Sequence, residues 1–188
     1  MRYILSVIGV IVFVVVIIVL IATSSSKKPN GHSIDITNYN YSSSSVSQTT
    51  DGPLVGEDQR QAIKIQISQA ERVIYILNGY EQNISGTEAY ANTPAAYQAF
   101  LGALDTYGFT KSRTTTETNI EGTCPLGNTY IYELNNGSGD ISDLWSTSCS
   151  LKDGTFFGDG PLLRQLFQLQ IPNYESFTTN VVLSVPTE

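Results

Sequence analysis

The sequence predicts an α+β fold: an antiparallel sheet of about five to seven strands with two amphipathic helices on one face, preceded by one transmembrane helix. Three observations support this. They are a long uncharged apolar run near the N-terminus, several segments in which apolar and polar residues alternate, and two segments with apolar residues at helical spacing. We accordingly divide the chain into a transmembrane helix at 1–23, a flexible Ser-rich linker at 24–57 and an extracytoplasmic domain at 58–188.

The composition excludes several classes of function. A chain of 188 residues suits one folded unit with short extensions. Ten basic and 17 acidic residues give a net charge of −7, which argues against a nucleic-acid partner. The single histidine, His32, excludes a multi-histidine metal site and most histidine-dependent catalysis. We therefore predict no catalytic residue, no metal site and no cofactor.

The apolar run predicts a membrane anchor. From Tyr3 to Ala22, 18 of 20 residues are apolar and none is charged. At about 1.5 Å per residue, such a helix spans the ~30 Å hydrocarbon core, so residues 3–22 are predicted to contact the lipid bilayer. A cleaved signal peptide is the alternative, because small residues follow at Ala22-Thr23-Ser24; the run is nevertheless longer than the usual ~7–15 residues.

The orientation of the predicted anchor in the membrane is inferred from the residues that follow it. The flanking charges nearly balance, with Arg2 before the run and Lys27 and Lys28 after it. The two cysteines and the many Ser, Thr, Asn and Tyr residues of the remainder suit the outside of a cell. We predict a single-pass protein of the cell membrane with its folded domain extracytoplasmic.

The linker is predicted from its low content of large apolar residues, which cannot offset the entropy of ordering the chain. Within it, Tyr39 and Tyr41 are interpreted as isolated aromatic residues on a tether, with a docking motif as the alternative.

Alternation of period two and runs rich in β-branched and aromatic residues predict the strands. Ile63, Ile65 and Ile67 mark the first, and strands at 72–78 and 83–90 complete a meander. A Thr-rich edge strand is expected at 109–121 and a last strand at 178–185. Strands at 129–134 and 141–148 are expected to form a hairpin across Asn136-Gly137-Ser138-Gly139.

Two helices are predicted. Thr93 can cap the first, Pro94 suits its first position, and Gly108 ends it. The second begins at Gly160-Pro161 and ends before Pro172. The inward residues expected are Tyr97, Phe100, Leu101 and Leu104 in the first helix, and Leu162, Leu163, Leu166 and Phe167 in the second.

The two cysteines, Cys124 and Cys149, are predicted to form a disulfide. The expected hairpin lies between them, so its outer ends would bring the sulfur atoms together. The alternative is a pair of free buried thiols, which would be favoured if the domain faced a reducing cytosol.

No pattern of reactive residues marks an active site. Asp140, Asp143, Asp153 and Asp159 lack the spacing of a calcium loop, and we interpret them as solvated turn carboxylates. A carboxylate pair for glycoside hydrolysis stays open, since such pairs meet only in the fold. Trp145 is interpreted as packed beside the disulfide, with an exposed sugar-stacking platform as the alternative.

Several short motifs carry a resemblance to small uncharacterised membrane-anchored proteins of reduced-genome, candidate-phyla bacteria. These motifs are Asn78-Gly79-Tyr80, Ala96 to Leu101, Thr147-Ser148-Cys149, Gly154-Thr155-Phe156, Leu166-Phe167 and Gln170 to Tyr174. The resemblance covers about residues 60–185. It implies a location in the bacterial envelope and no activity.

The sequence therefore favours a membrane-anchored, surface-displayed binding or structural module of the cell envelope. An envelope polymer or another protein is the expected partner. The alternative is an envelope hydrolase that uses paired carboxylates.

Overall fold

The computed structural model describes residues 33–115, 119–150 and 153–185. The predicted membrane segment at residues 3–22 lies outside these ranges, as do residues 24–32 of the predicted linker. Within the described ranges, none of the helices combines the length and the apolar character that crossing a membrane requires.

The architecture is α+β, as predicted. A short 3₁₀ helix (Ile36–Tyr39) precedes the sheet. The strands are β1 (Ser45–Asp51), β2 (Gln61–Ser68), β3 (Glu71–Asn78), β4 (Asn83–Ala91), β5 (Thr129–Asn135) and β6 (Asp140–Thr147). The helices are α1 (Pro94–Thr106), α2 (Gly160–Gln168) and α3 (Tyr174–Phe177).

The six strands form one antiparallel sheet in the order β4-β3-β2-β1-β5-β6. This confirms the predicted β2-β3-β4 meander and the β5-β6 hairpin. At the hairpin turn Gly137 has φ 85°, a conformation that glycine adopts without strain.

The prediction of a flexible linker is wrong for residues 45–51, which form β1 near the centre of the sheet. Val46 is the one large apolar residue of this strand, so the alternation signal is absent. Pairing with β2 on one side and β5 on the other satisfies its backbone polar groups instead. Tyr39, also assigned to the linker, packs against the core.

The core joins the helices to one face of the sheet. Thr93 caps α1 by accepting a hydrogen bond from the Ala96 amide (3.2 Å), and Pro94 begins the helix, as predicted. Phe100 meets the ring of Phe167 from α2 edge-to-face at 5.1 Å. The same cluster contains Ile63, Ile65, Ile67, Leu101, Leu104 and Leu163. In α2, Leu162 is more exposed (38%) than predicted, whereas Leu163 and Phe167 are buried.

Two predicted strands do not form among the described residues. Of the segment 109–121, Phe109 and Thr110 turn into the interior, and Ser112 makes an isolated bridge to Phe156; residues 116–118 lie outside the description. From 178 to 185 the chain is irregular: the Val182 amide donates to the Gln61 side chain (2.8 Å) and not to a neighbouring strand. A segment rich in strand-forming residues becomes a strand only where a partner strand offers free backbone groups.

The disulfide joins Cys124 to Cys149, with their Cα atoms 5.7 Å apart. The Ser148 amide bonds to the Asn128 carbonyl oxygen (2.9 Å) just beyond the β5-β6 hairpin. The hairpin thus brings its own flanks, and with them the two sulfur atoms, together as predicted.

Phe100→Ala is expected to lower the free energy of unfolding by about 3–5 kcal/mol, because the vacated space adjoins the rigid Phe167 ring and the β2 face. Asp105→Ala, an exposed position on the same helix, is the matched control and should change it by less than about 0.5 kcal/mol. Urea unfolding of the full chain in mild detergent, followed by the fluorescence of Trp145, measures both. Equal midpoints would contradict the packing described for α1.

Replacing Cys124 and Cys149 together by Ser is expected to lower the free energy of unfolding by about 3.5 kcal/mol, since the bridge closes a 25-residue separation. Under reducing conditions the native chain and the variant should unfold at similar urea concentrations. Alkylation of both cysteines in the denatured, unreduced protein would show that the bridge is absent.

Candidate functional site

The face of the sheet opposite the helices carries a polar groove of about 330 Å³. Strand pairing places Ser47 between Gln66 of β2 and Glu133 of β5. The groove is lined by Ser43, Ser45, Ser47, Lys64, Gln66, Glu133, Asn135 and Asp140. Lys64 and Gln66 alternate with the buried isoleucines of β2, so the pattern that builds the core also builds this groove.

Glu133 is the centre of the hydrogen bonding in the groove. Its Oε2 accepts a hydrogen bond from the Ser47 hydroxyl (2.6 Å) and forms an ion pair with Lys64 Nζ (2.8 Å). The side chains of Lys64 and Glu133 are 29% and 25% exposed, so both remain accessible to a ligand. A partly exposed ion pair of this kind contributes little to stability. Its main effect is to place a positive and a negative charge side by side in the groove.

Asp143 lies directly opposite Glu133 across the β5-β6 pair. Burial raises the pKa of Asp143, and the negative charges of Glu133 and Asp140 raise it further, while Lys64 lowers it. The carboxyl groups of Glu133, which is ion-paired, and of Asp143, whose pKa is raised, therefore lie on the same face of the sheet. The sequence predicts the hairpin that carries both residues but not its register, which shifts between Leu134 and Asn135 and sets Glu133 opposite Asp143.

The four aspartates singled out in the sequence separate into different environments. Asp140 and Asp143 join Glu133 on the polar face. Asp153 accepts from the Thr147 hydroxyl, and Asp159 caps α2 by accepting from the Leu162 amide (3.2 Å). Throughout the ranges given above, acidic, histidine and cysteine residues form no group of three or more suited to a metal ion.

A second concavity, here called the arginine cleft, has a volume of about 630 Å³. It lies between the end of the β5-β6 hairpin and the start of α2. Its lining includes Arg113, Tyr130, Ser146, Ser148, Gly160 and Arg164. The sequence does not reveal this site, because its residues come from four separate segments and match no motif.

Aromatic rings and backbone groups hold the two arginines of the cleft. Arg113 donates from Nε and Nη2 to the Phe156 carbonyl oxygen (3.0 and 2.7 Å). The Arg164 guanidinium lies 3.8 Å from the Tyr130 ring centroid. Its Nη1 donates to the Tyr132 hydroxyl (3.4 Å). Burial raises the pKa of Tyr132, and Arg164 opposes that rise.

A third concavity, of about 420 Å³, contains the Arg60–Asp51 ion pair. Arg60 lies beneath the Tyr80 ring, 4.3 Å from its centroid. Burial raises the pKa of Asp51, and the charge of Arg60 lowers it. Both side chains are 12% exposed, so this largely buried ion pair links the residue before β2 to the last residue of β1.

Trp145 is 5% exposed and packs against the backbone of Gly154. A side chain so enclosed cannot stack on a sugar, which excludes the platform considered from the sequence. Gly154 has φ 89°, and a Cβ there would meet the Trp145 carbonyl oxygen at 2.1 Å. Close backbone approach therefore holds this tryptophan in place.

Comparison of the chain with protein-family models, with curated proteins and with solved structures found no match.

Asp143→Asn is expected to raise the urea midpoint at pH 7. Because folding raises this pKa, the folded state favours the protonated acid; that stability is present below the ordinary value of 3.8 and is lost as the pH rises through the raised pKa. The amide imitates the protonated form, so the difference from the native chain should shrink as the pH falls below 3.8.

Urea unfolding at pH 7 and pH 3 measures this effect. Asp105→Asn on α1 is the matched control and should change the midpoint little at either pH. A lower midpoint for Asp143→Asn at pH 7 would show that the charged carboxylate stabilises the fold.

Proposed function

We propose that this chain is a membrane-anchored, extracytoplasmic binding module that holds a hydroxyl- and amide-rich polymer of the cell envelope in its polar groove. The observation that carries the proposal is the groove itself. Serine hydroxyls, the amides of Gln66 and Asn135, and the Lys64–Glu133 ion pair place donors and acceptors side by side at the middle of a rigid sheet.

The location rests on two supports. The uncharged run at residues 3–22 has the length of a membrane anchor. The disulfide between Cys124 and Cys149 suits an oxidising compartment outside the cytosol. The resemblance to membrane-anchored envelope proteins of candidate-phyla bacteria agrees with both.

Hydrolysis of the same polymer is the second candidate function, and the Glu133–Asp143 pair favours it. Directly opposite residues on antiparallel strands have Cβ atoms about 4.5–5.5 Å apart. Carboxyl groups carried on such a pair can reach the separation of about 5–5.5 Å that characterises retaining glycosidases, in which one acid has a raised pKa. Asp143 would act as the acid and Glu133 as the nucleophile.

Binding is the better supported of the two. Glu133 Oε2 already engages Lys64 and Ser47, which lowers its readiness to attack a sugar carbon. Asp143 lies outside the lining of the groove, so the two carboxyl groups do not share one water-excluding pocket.

A sedimentation assay tests the proposal. The full chain in mild detergent is mixed with purified, insoluble peptidoglycan, and the bound fraction is measured against the polymer concentration. We expect saturable binding, and we expect Gln66→Ala to weaken it by about threefold or more, since one amide contact is worth ~0.5–1.5 kcal/mol. Gln165→Ala on the exposed side of α2 is the matched control and should bind like the native chain.

The supernatant of the same assay separates the two functions. Binding without soluble fragments supports the binding module. Release of soluble saccharides with new reducing ends, lost in Asp143→Asn, would establish the hydrolase. Absence of saturable binding, or equal weakening by Gln66→Ala and Gln165→Ala, would overturn the groove as a site for this polymer.

A further inference from the structure

The arginine cleft has a charge opposite to that of the whole chain. The protein has a net charge of −7, yet two of its ten basic residues line this one concavity. Among the described residues, the ion pairs within 4.0 Å are Arg60–Asp51 and Lys64–Glu133. Arg113 and Arg164 therefore have no carboxylate partner in this part of the chain, although Asp159 contributes to the lining.

The contacts of the two guanidinium groups orient them without neutralising them. Arg113 uses Nε and Nη2 on the Phe156 carbonyl oxygen and lies over the Phe157 ring, 5.1 Å from its centroid. Arg164 lies over Tyr130 and donates from Nη1 to the Tyr132 hydroxyl. Stacking holds each plane and keeps its full positive charge, and a preset guanidinium loses less entropy when it binds an anion.

Two glycines before Arg164, Gly158 and Gly160, lie where a side chain would crowd neighbouring atoms. A Cβ at Gly160 would lie 3.2 Å from both Arg164 Nη1 and the Tyr132 hydroxyl oxygen. A Cβ at Gly158 would lie 2.3 Å from the Gly108 carbonyl oxygen, so glycine is also required there. The chain at the start of α2 thus lies close to the end of α1 at Gly158 and close to Tyr132 of the hairpin at Gly160.

The Asp159 carboxylate occupies the N-terminus of α2, where it accepts from the Leu162 amide. The positive end of the helix is therefore already used, and the two arginines must supply the attraction for an anion. Tyr130 and Ser146, which pair across β5 and β6, and Ser148 add hydroxyl-bearing side chains to the lining.

We propose that the arginine cleft binds a phosphate group, with Arg113 and Arg164 as the two charged contacts. The two guanidinium groups outweigh the single Asp159 carboxylate in the lining, so the cleft keeps a net positive charge for an anion. The N–H groups that remain on the two arginines and the neighbouring hydroxyls suit a tetrahedral group with several acceptor oxygens. Side chains along β5 point alternately to the two faces of the sheet, and Tyr130 and Glu133 are three positions apart, so they lie on opposite faces. The arginine cleft therefore lies on the helix side of the sheet and is distinct from the polar groove.

Titration calorimetry tests the cleft with inorganic phosphate and with glycerol 3-phosphate, on the full chain in mild detergent. Saturable binding of inorganic phosphate is expected, with acetate at least tenfold weaker. Binding of the ester as well would indicate a phosphate carried by a larger molecule, whereas binding of inorganic phosphate alone would indicate the free ion. Absence of binding by both, or acetate equal to phosphate, would overturn the proposal.

Variants assign the binding to the cleft. Arg164→Gln is expected to weaken phosphate binding by about tenfold or more, and Arg164→Lys, which keeps the charge without the fork, by less. Lys111→Gln is the control for net charge, because it removes an exposed cation near the cleft and should leave the affinity within about twofold. Equal losses in Arg164→Gln and Lys111→Gln would show attraction by net charge alone and overturn the site.

Arg113→Gln tests the other charged contact, which lies in a loop and not in α2. It too should weaken phosphate binding by about tenfold, while the urea midpoint of each variant reports on folding independently. A variant that unfolds at the native urea concentration and binds phosphate with native affinity would overturn the role given to its arginine.

Discussion

The structure depends on the pairing of β1 with two neighbours. Residues 45–51 pair with β2 along one side and with β5 along the other, seven positions on each. This strand unites the β2-β3-β4 meander and the β5-β6 hairpin, which are separated in sequence by α1 and a long loop, into one sheet. A two-stranded hairpin is marginally stable alone, so the β5-β6 half owes its order to this connection and to the disulfide across its outer ends.

The polar character of β1 determines how the two faces of the sheet differ. On the helix side, Val46 lies among the aliphatic residues of β2 and β5, while the amide of Gln48 donates to the Thr50 hydroxyl (3.0 Å). On the other side, Ser47 donates to Glu133. A Val or Ile at position 47 would leave the lone pairs of Glu133 with fewer donors and fill the groove. The strand that completes the core is thus also the strand that makes the opposite face polar.

The two candidate sites have different physical origins. The groove is a product of register, since Ser47, Lys64 and Glu133 are brought together by the pairing of three strands. The arginine cleft is a product of close packing around the start of α2, where Gly158 approaches the backbone at the end of α1 and Gly160 approaches the Tyr132 side chain of the hairpin. Charge in the groove is largely paired, whereas the guanidinium groups of the cleft contact rings and neutral oxygens. The ligands proposed for the two sites follow this difference: a neutral polar polymer for the groove and an anion for the cleft.

The sequence by itself determined the elements whose signal is local. The Thr93-Pro94 start and apolar stripe of α1, the alternation in β2, the Asn136–Gly139 turn and the cysteines flanking the hairpin all correspond to observed structure. Tertiary structure decided what depends on partners distant in the chain. Residues 45–51 became a strand because two neighbours supplied hydrogen-bonding edges, although their composition is that of a linker. Residues 178–185 include Val181, Val182, Leu183 and Val185, yet the segment stayed irregular, since backbone pairing requires an available strand edge as well as a suitable composition. The predicted hairpin makes β5 and β6 neighbours, but the register that sets Glu133 opposite Asp143 was decided by the folded structure. Arg113 and Arg164 line one cavity for a similar reason, because spacing along the chain does not encode which distant loop and helix become neighbours.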